Sequence, residues 1–449
     1  MELNNTYVLQ STSGFARGDL DNVAVADDCV TLERVNGRYV LYGCYTSPQV
    51  PMPAFNQVTV SWNADTPAGT VVEAQVRVLQ DGSWSAWSGF GKWSPYLRRQ
   101  GVNKPEGVQA DCLTVQGSPA TQVQLRVYLY TDDEKLTPAV WLLAASVRPA
   151  DWKHQEGRPV SRVLYAPAYS QKLRDPAFGS DMDLPVAVAA LMNRSGADVL
   201  PEVLAHMMFD ETLGSCGNRA FAAAAAGCCG FEAYSAFMDV ASLRGEIRSG
   251  FPVAVHLNSA HTPEEAEQTG LPLLTGSRGT GSRMAVVRGF LMGPAGEDQL
   301  LINDPLAPTD AEAECTVPLE ELLECWDNQA LAIHRKRRDG GTARPMRVMG
   351  HLKPLGPVGE YQLEQQGVDC QLPQGSGPCE HRPLCTFGYT VQQETVYATT
   401  AHKAFHFLEH DPAAGTLIRL PEEQFQASGR ITVYAIDWQG NMMVSDVKR

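Results

Sequence analysis

The chain has 449 residues, which is enough for about three domains at roughly 150 residues each. Its composition is 44% hydrophobic and 19% charged, with 39 glycines and 29 prolines, which is typical of a loop-rich globular protein and excludes coiled coil, collagen and general disorder. Acidic residues outnumber basic ones by 51 to 36, and the net charge of −15 disfavours general binding to nucleic acid or to anionic membranes.

The sequence carries no visible targeting signal. No run of about eighteen apolar residues occurs, so no membrane span is predicted. The segment 1–6 has neither a basic nor an apolar region, so a cytoplasmic location is the default expectation. The eleven cysteines are an odd number, and Cys228 and Cys229 are adjacent in an alanine-rich run, which favours reduced thiols over a disulfide framework.

Residues 1–150 have the alternating pattern of half-buried strands. The alternation is clearest from Val123 to Tyr130 and is also present from Val72 to Val78. Turn signals such as Asn36-Gly37 and Asp81-Gly82 separate the strand-like runs. Short strands with regular turns predict a β-sandwich domain.

Residues 151–340 mix helical and strand-like segments, which predicts an α+β domain. The predicted helices are 184–192 and 218–226, and the predicted strands are 252–256, 284–290 and 300–303. The basic run 334–338, followed by Asp339 and two glycines, is interpreted as a solvated boundary because nothing aromatic lies within it. Beyond it, residues 341–449 contain strand-like pieces at 388–400, 415–420 and 430–436, which predict a small C-terminal β domain.

Several local motifs occur in a fixed order in the second domain. They are Tyr169-Ser-Gln171, Gly179 to Asp183 before a helix that opens with Leu184-Pro185, Gly217-Asn218, Gly250 to Val255, Gly281 to Gly289 and Ile302-Asn-Asp-Pro305. Together they resemble the C39-like cysteine peptidase family, whose members have a papain-like α+β fold and are common in bacteria. The resemblance covers about residues 164–330. The segments 62–67 and 84–93 resemble the β-sandwich that precedes the peptidase domain in many members.

The resemblance implies four site positions. Family members have a nucleophilic cysteine at the N-terminus of the first helix, a histidine in a later Gly-His segment, an aspartate in Asn-Asp-Pro and an upstream glutamine that helps to form the oxyanion hole. Carried onto this sequence, the glutamine is Gln171 and the aspartate is Asp304. The cysteine position falls on Asp183 and the histidine position on Ser282.

These two replacements remove the reaction. A carboxylate attacks an amide far less readily than a thiolate, and a serine hydroxyl does not relay protons near neutral pH as imidazole does. Loss of such a unit typically lowers turnover by about a million-fold. We therefore expect a catalytically inactive homologue, a pseudo-peptidase, that binds a peptide, a cell-wall or other glycan, or a protein partner. The resemblance also makes an extracellular location an alternative to the cytoplasm.

Each position also has an ordinary structural interpretation. Asp183 suits the N-cap of a helix, Asp304 an Asx turn before Pro305, and Gln171 a loop amide whose hydrogen bonds are satisfied.

A relocated nucleophile is the competing hypothesis, in which the chain is an active cysteine hydrolase. Cys216 lies just ahead of a predicted helix, where the pKa of a thiol would fall, and His256 or His261 could serve as its base. An ordinary part-buried cysteine is the alternative interpretation.

Two further groups could bind ligands. Trp84, Trp87 and Trp93 could form a platform for sugar rings, which would make the chain a cell-surface carbohydrate-binding protein; core packing is the alternative. In the third domain, a structural zinc ion could be held by Cys370, Cys379, His381 and Cys385. Their spacing is not that of a standard zinc knuckle, so unrelated thiols or a single disulfide remain open. No other cofactor is indicated.

Overall fold

The fold is known from a computed structural model that describes residues 5–337, apart from 68, 96–107, 110, 175–180, 198, 211 and 295. Beyond residue 337 it describes the backbone of seven strands.

The N-terminal region is rich in β-structure, as predicted. Its elements are β1 (Thr6–Leu9), α1 (Thr12–Phe15), β2 (Asp19–Asp21), β3 (Val23–Ala26), β4 (Cys29–Leu32), β5 (Arg34–Val35), β6 (Arg38–Tyr39), β7 (Tyr42–Thr46), β8 (Val50–Asp65), β9 (Thr70–Gln80), β10 (Ser83–Trp84), β11 (Ser88–Trp93), β12 (Val108–Gln109), β13 (Cys112–Thr114), β14 (Ala120–Thr131) and β15 (Ala139–Pro149). Thirteen of these strands join one sheet whose main path is β10-β9-β14-β8-β15-β4-β3, while β5 and β6 pair separately.

Local sequence explains these strands. In β9, buried residues alternate with half-buried ones along the strand, which is the pattern of a strand with one face on the core. The predicted turns at Asn36-Gly37 and Asp81-Gly82 both have positive φ at their two residues, which joins β5 to β6 and β9 to β10 as tight hairpins.

In the second region, the described residues form six helices and a seven-stranded antiparallel sheet. Its elements are β16 (Arg162–Val163), α2 (Asp183–Asn193), α3 (Pro201–Met208), α4 (Arg219–Cys228), β17 (Phe231–Phe237), α5 (Val240–Ser249), β18 (Val253–Ser259), α6 (Pro263–Thr269), β19 (Gly281–Met292), β20 (Asp298–Asn303), β21 (Glu314–Pro318), α7 (Leu319–Cys325) and β22 (Trp326–Lys336). The strand order is β17-β22-β18-β19-β20-β21, and β16 pairs with β19. The helices predicted at 184–192 and 218–226 correspond to α2 and α4, and the three predicted strands correspond to β18, β19 and β20.

One continuous core joins the two regions. Helix α4 crosses β8 so closely that a Cβ on Gly227 would lie 2.5 Å from the side chain of Asn63. The Asn63 amide donates hydrogen bonds to the carbonyl oxygens of Ala223 and Ala233, and its Oδ1 accepts one from the Ala233 amide. Because these groups are buried, each bond replaces one that water would otherwise supply. The N-terminal sheet therefore supports the helices that carry the site.

Helix α2 lies in the middle of this core. Its residues from Leu184 to Asn193 are all buried, which is typical of a helix surrounded by protein on every side. One side of α2 packs on β19, and Val186 of the helix and Met284 of the strand belong to one apolar cluster. The first turn of α2 therefore meets the middle of the sheet.

The basic run 334–338 does not behave as predicted at its start. His334 lies inside β22 between Glu232 and Glu246, with its side chain only 16% exposed, because these two distant carboxylates neutralise it. The interpretation as a solvated boundary is wrong for this residue.

The remaining strands are β23 (Gly350–Pro354), β24 (Glu360–Gln365), β25 (Leu384–Val391), β26 (Phe405–Phe407), β27 (Leu417–Arg419), β28 (Arg430–Asp437) and β29 (Met442–Lys448). They form sheets of order β23-β24-β27 and β26-β25-β28-β29. The domain boundaries at 150 and 340 stay predictions. Within the described part of the chain, no helix has both the length and the apolar character that a bilayer crossing requires.

Candidate functional site

The sequence predicts Asp183 as the N-cap of this helix, but in the structure the N-cap is Met182 and Asp183 is the first residue of α2. One carboxylate oxygen of Asp183 accepts a hydrogen bond from the backbone amide of Met284 at 2.8 Å, and the carboxylate also accepts from the amide of Leu184. Desolvation raises the pKa of Asp183, while these amides and the charge of His256 lower it in part. The side chain at the cysteine position therefore ties the helix N-terminus to β19.

Asp304 is fully buried and paired with Arg283, which is also fully buried. The Nε and Nη2 atoms of Arg283 lie 3.0 to 3.2 Å from the carboxylate oxygens of Asp304. The carboxylate also accepts from the backbone amides of Arg278 and Leu306, and the latter bond is the Asx turn that the sequence predicts. Its acceptor sites are thus used in holding the fold.

Ser282 does not meet Asp304. Successive side chains of a strand point to opposite faces, so Ser282 shares a face with Met284 and Arg283 points the other way. The residue that contacts Asp304 is Arg283, one position after the one that the motif comparison selected.

Gln171 opens a 3₁₀ turn, Gln171–Leu173, and its backbone amide donates to the carbonyl oxygen of Pro305 at 2.9 Å. This contact brings the glutamine position beside the Asn-Asp-Pro turn. Its side chain is buried, and its Oε1 has no hydrogen-bond partner among the described residues. The interpretation as a satisfied loop amide is therefore wrong for this atom.

Ser282 instead contacts a histidine. Its Oγ lies 2.7 Å from Nε2 of His256, and Nδ1 of the same imidazole lies 2.8 Å from Oδ2 of Asp327. The sequence predicts His256 only as a partner for Cys216, and it does not predict a role for Asp327. The register of β18 and β19 places His256 opposite Met284 and Asn258 opposite Ser282. His256 and Ser282 therefore share one face of the sheet, which the pairing of these two predicted strands could have indicated.

Cys216 is fully buried, and its thiol donates to the carbonyl oxygen of Ala205 at 3.6 Å. A nucleophile has to reach its substrate, and this position gives no access. The geometry agrees with an ordinary buried cysteine. His261 lies near Thr280 and Glu265 instead.

The tryptophans of the first region are occupied by protein contacts. Trp93 is fully buried and its Nε1 donates to the carbonyl oxygen of Met207, so it packs in the core. Trp84 and Trp87 are half-buried, and guanidinium groups lie over their rings, Arg77 at 4.8 Å from both and Arg126 at 4.2 Å from Trp87. A sugar ring would have to displace these cations.

The predicted zinc ligands Cys370, Cys379 and His381 lie outside the described residues, as does the side chain of Cys385. Within the described residues, no cluster of three or more histidine, cysteine, aspartate or glutamate side chains is arranged to hold a metal ion. The zinc site stays a prediction.

Comparison with known proteins identifies the two regions. Residues 6–147 match the Peptidase C39 N-terminal domain, and residues 163–331 match the Peptidase_C39 like family. A search of curated proteins gives no match. Among solved structures, the chain is similar over 33% of its length to 34% of a chain of infectious bursal disease virus Gt strain, with 10% identity and a TM-score of 0.18. It is also similar over 34% of its length to 37% of a family two carbohydrate esterase from Cellvibrio japonicus, with 9% identity and a TM-score of 0.16.

The chain spans only about a third of each of these solved structures. The two family matches together cover the N-terminal β-rich region and the region that carries Gln171, Asp183, Ser282 and Asp304. On these matches, the chain belongs to the C39-like peptidase family.

Proposed function

We propose that this chain is a C39-like peptidase homologue that has no cysteine-peptidase activity and that binds a peptide, glycan or protein ligand at the former active site. The observation that carries the proposal is the buried pair of Arg283 and Asp304. In the family, the aspartate of Asn-Asp-Pro works with the catalytic histidine, and here that aspartate is held by a guanidinium. Arginine stays protonated at any physiological pH, so Arg283 cannot accept a proton from a nucleophile.

The nucleophile position supports the same conclusion. Asp183 has an oxygen in place of the thiol sulfur, and that carboxylate is engaged by the amides of Met284 and Leu184. Attack on an amide carbonyl would break these contacts and form an anhydride, which is a poor route to hydrolysis. The side chains at the cysteine position and at the aspartate position are therefore both engaged in contacts that hold the structure.

The surface beside this position is suited to binding. His256 is partly accessible, and Asn258 and Ser282 are exposed as a cross-strand pair on the same face of the sheet. These side chains offer hydrogen-bond donors and acceptors on a rigid sheet, so little conformational entropy is lost when a polar ligand binds.

Two measurements on the purified full chain test the proposal. Incubation with peptides and denatured protein is expected to give no cleavage above background. Treatment of the chain with iodoacetamide is expected to leave this background unchanged. Cleavage that disappears in Asp183→Ala would overturn the proposal.

Binding is measured with peptide and glycan arrays. Asn258→Trp places a bulky ring on the exposed face and is expected to abolish the signal. The control is Met292→Trp at the end of β19 far from Ser282, where Met292 is 74% exposed, and it is expected to bind as the wild type does. Equal binding by both variants would place the ligand elsewhere and refute the assignment of this surface.

A further inference from the structure

Three side chains, one of which is Ser282 at the family's histidine position, form a hydrogen-bonded relay. The strand order β22-β18-β19 places Asp327, His256 and Ser282 on three neighbouring strands, with the imidazole in the middle. Its Nδ1 is 2.8 Å from Asp327 and its Nε2 is 2.7 Å from Ser282. From this geometry we propose that Ser282 is an acyl-accepting nucleophile and that the array hydrolyses esters of short acyl groups.

The Asp327 side chain is fixed by its backbone. Pairing of β18 with β22 is interrupted between Ala330 and Trp326, and Asn328 within this bulge has a φ of +70°. Asp327 also accepts a hydrogen bond from the backbone amide of Gln329 at 2.9 Å through its other oxygen. The carboxylate is therefore oriented before any substrate arrives.

The relay has the polarity that a serine nucleophile needs. When Nδ1–H donates to Asp327, Nε2 carries the lone pair and accepts the hydrogen bond of the Ser282 hydroxyl. The imidazolium that forms on proton transfer would be stabilised by Asp327, and Asp183 already interacts electrostatically with His256. The same constellation of serine, histidine and aspartate occurs on unrelated folds, so it is recognised by geometry and not by fold.

The reacting atoms are accessible. Ser282 is exposed, and the side chains of His256 and Asp327 are 25% and 39% exposed. Asn258 pairs with Ser282 across the strands, which places their Cβ atoms about 5 Å apart on one face. Its carboxamide can donate to the oxyanion of a tetrahedral intermediate next to Ser282.

The chemistry balances with water as the co-reactant. Ser282 Oγ forms a bond to the acyl carbon while its proton passes to Nε2 of His256. The bond from that carbon to the alcohol oxygen then breaks, and Nε2 returns the proton to the departing alcohol. Water attacks the acyl-serine and gives a proton to Nε2, the acyl-to-Oγ bond breaks and Ser282 Oγ takes the proton back. The products are one carboxylic acid and one alcohol.

The site favours esters over amides and short acyl groups over long ones. An ester carbonyl is more electrophilic than an amide carbonyl and an alkoxide leaves more readily than an amide anion, while a single side-chain donor offers less oxyanion stabilisation than a pair of backbone amides. The neighbours of Ser282 on this face, Asn258 and His256, are polar, which suits an acetyl-sized group. The inference rests on the binding surface of the proposed function and adds to it a reaction on an ester of the bound ligand.

The test uses a fluorophosphonate probe and p-nitrophenyl acetate with the full chain. The probe is expected to label Ser282 in peptide mapping, and Ser282→Ala, His256→Ala and Asp327→Asn are each expected to lower ester hydrolysis at least 100-fold. The matched control is Ser195→Ala, an exposed serine after α2 that is outside the relay, with expected wild-type activity. Labelling at another residue, or full activity in Ser282→Ala, overturns the inference.

Two outcomes separate this inference from the proposed function. Array binding that is lost in Asn258→Trp, with no ester hydrolysis by the wild type, leaves the binding function standing and overturns the inference. Hydrolysis that depends on Ser282, with no array binding, supports the inference and overturns the ligand-binding proposal.

Discussion

The contacts of His334 allow the pH dependence of the free energy of unfolding to be predicted. Its Nδ1 lies 3.1 Å from Oε1 of Glu232 and its Nε2 lies 3.0 Å from Oε2 of Glu246, while the rings of Tyr234 and Phe251 pack around it. Burial by itself would lower the pKa of His334, but hydrogen bonds to the two glutamates and their charges raise it to about 9. The perturbation is His334→Gln, which removes the cation and keeps a polar side chain.

The magnitude follows from linkage. Because the pKa rises from 6.5 to about 9 on folding, the protonated imidazole stabilises the fold by about 3 kcal/mol. Because folding raises the pKa of His334, its stabilisation of the fold is fully present below pH 6.5 and disappears as the pH rises through 9. Wild-type protein is therefore expected to lose about 3 kcal/mol of free energy of unfolding between pH 6.5 and pH 9.5, and His334→Gln is expected to lack this decline.

Urea unfolding followed by tryptophan fluorescence at pH 6, 7.5 and 9 measures this difference. At pH 6 the variant is also expected to be destabilised, because Glu246 is left buried without its cation. The control is His261→Gln, because His261 and Glu265 form an ion pair at the surface, and the pH dependence of this variant is expected to match the wild type. Identical pH dependence in wild type and His334→Gln would refute the reasoning.

Three further substitutions test other parts of the structure. Asp183→Asn keeps an acceptor for Met284, and since desolvation raises the pKa of Asp183, the thermal stability of the variant at pH 7 is expected to exceed that of the wild type, with the gain vanishing below about pH 3.8. Asp304→Ala leaves the Arg283 cation buried and unpaired and is expected to cost about 3 to 5 kcal/mol in urea unfolding, whereas a loss under 1 kcal/mol would contradict the pairing. Arg126→Ala removes a cation from the face of Trp87 and is expected to cost about 1 kcal/mol and to shift the tryptophan emission; an unchanged spectrum would argue against the stack.

Local sequence predicted the elements that carry their own signals. Helices α2 and α4 were found because apolar residues continue for three turns and because Pro185 and Asn218 mark their starts. The β9 to β10 hairpin was found because Asp81-Gly82 accepts positive φ. Each of these signals is contained within about ten residues, so it needs no knowledge of the rest of the chain.

The site could be predicted only in part, because its contacts join distant residues. Ser282 and His256 are 26 positions apart and meet through strand register, and Asp327 joins them through a bulge that no local pattern announces. His334 looked solvated because its neighbours in sequence are basic, yet Glu232 and Glu246 reach it from 102 and 88 positions away. The charge pattern along the chain therefore gave a wrong prediction of solvation for His334, because the carboxylates that neutralise it belong to other elements.

The contact between Arg283 and Asp304 leads to a prediction about restoring the lost chemistry. Sequence motifs assign the histidine position to Ser282, whereas the structure puts Arg283 against the aspartate that would orient an imidazole. The two assignments predict different reactivities for a thiol introduced at position 183. In Asp183→Cys/Arg283→His, the new imidazole can take Asp304 as its partner but projects from the face of β19 that points away from α2. In Asp183→Cys/Ser282→His, the imidazole lies on the face of Met284, where the N-terminus of α2 carries the new thiol and the helix dipole also lowers the pKa of a thiol.

The thiol of Asp183→Cys/Ser282→His is therefore expected to react with iodoacetamide at pH 7 at least 10-fold faster than the thiol of Asp183→Cys/Arg283→His, because only an imidazole on the face of α2 can pair with the thiolate. Peptide mapping by mass spectrometry assigns the alkylation to position 183, which separates it from the native cysteines, and Asp183→Cys alone sets the baseline. A faster reaction in the Arg283→His background would mean that position 283, and not position 282, faces the N-terminus of α2 and would contradict the face assignment of β19.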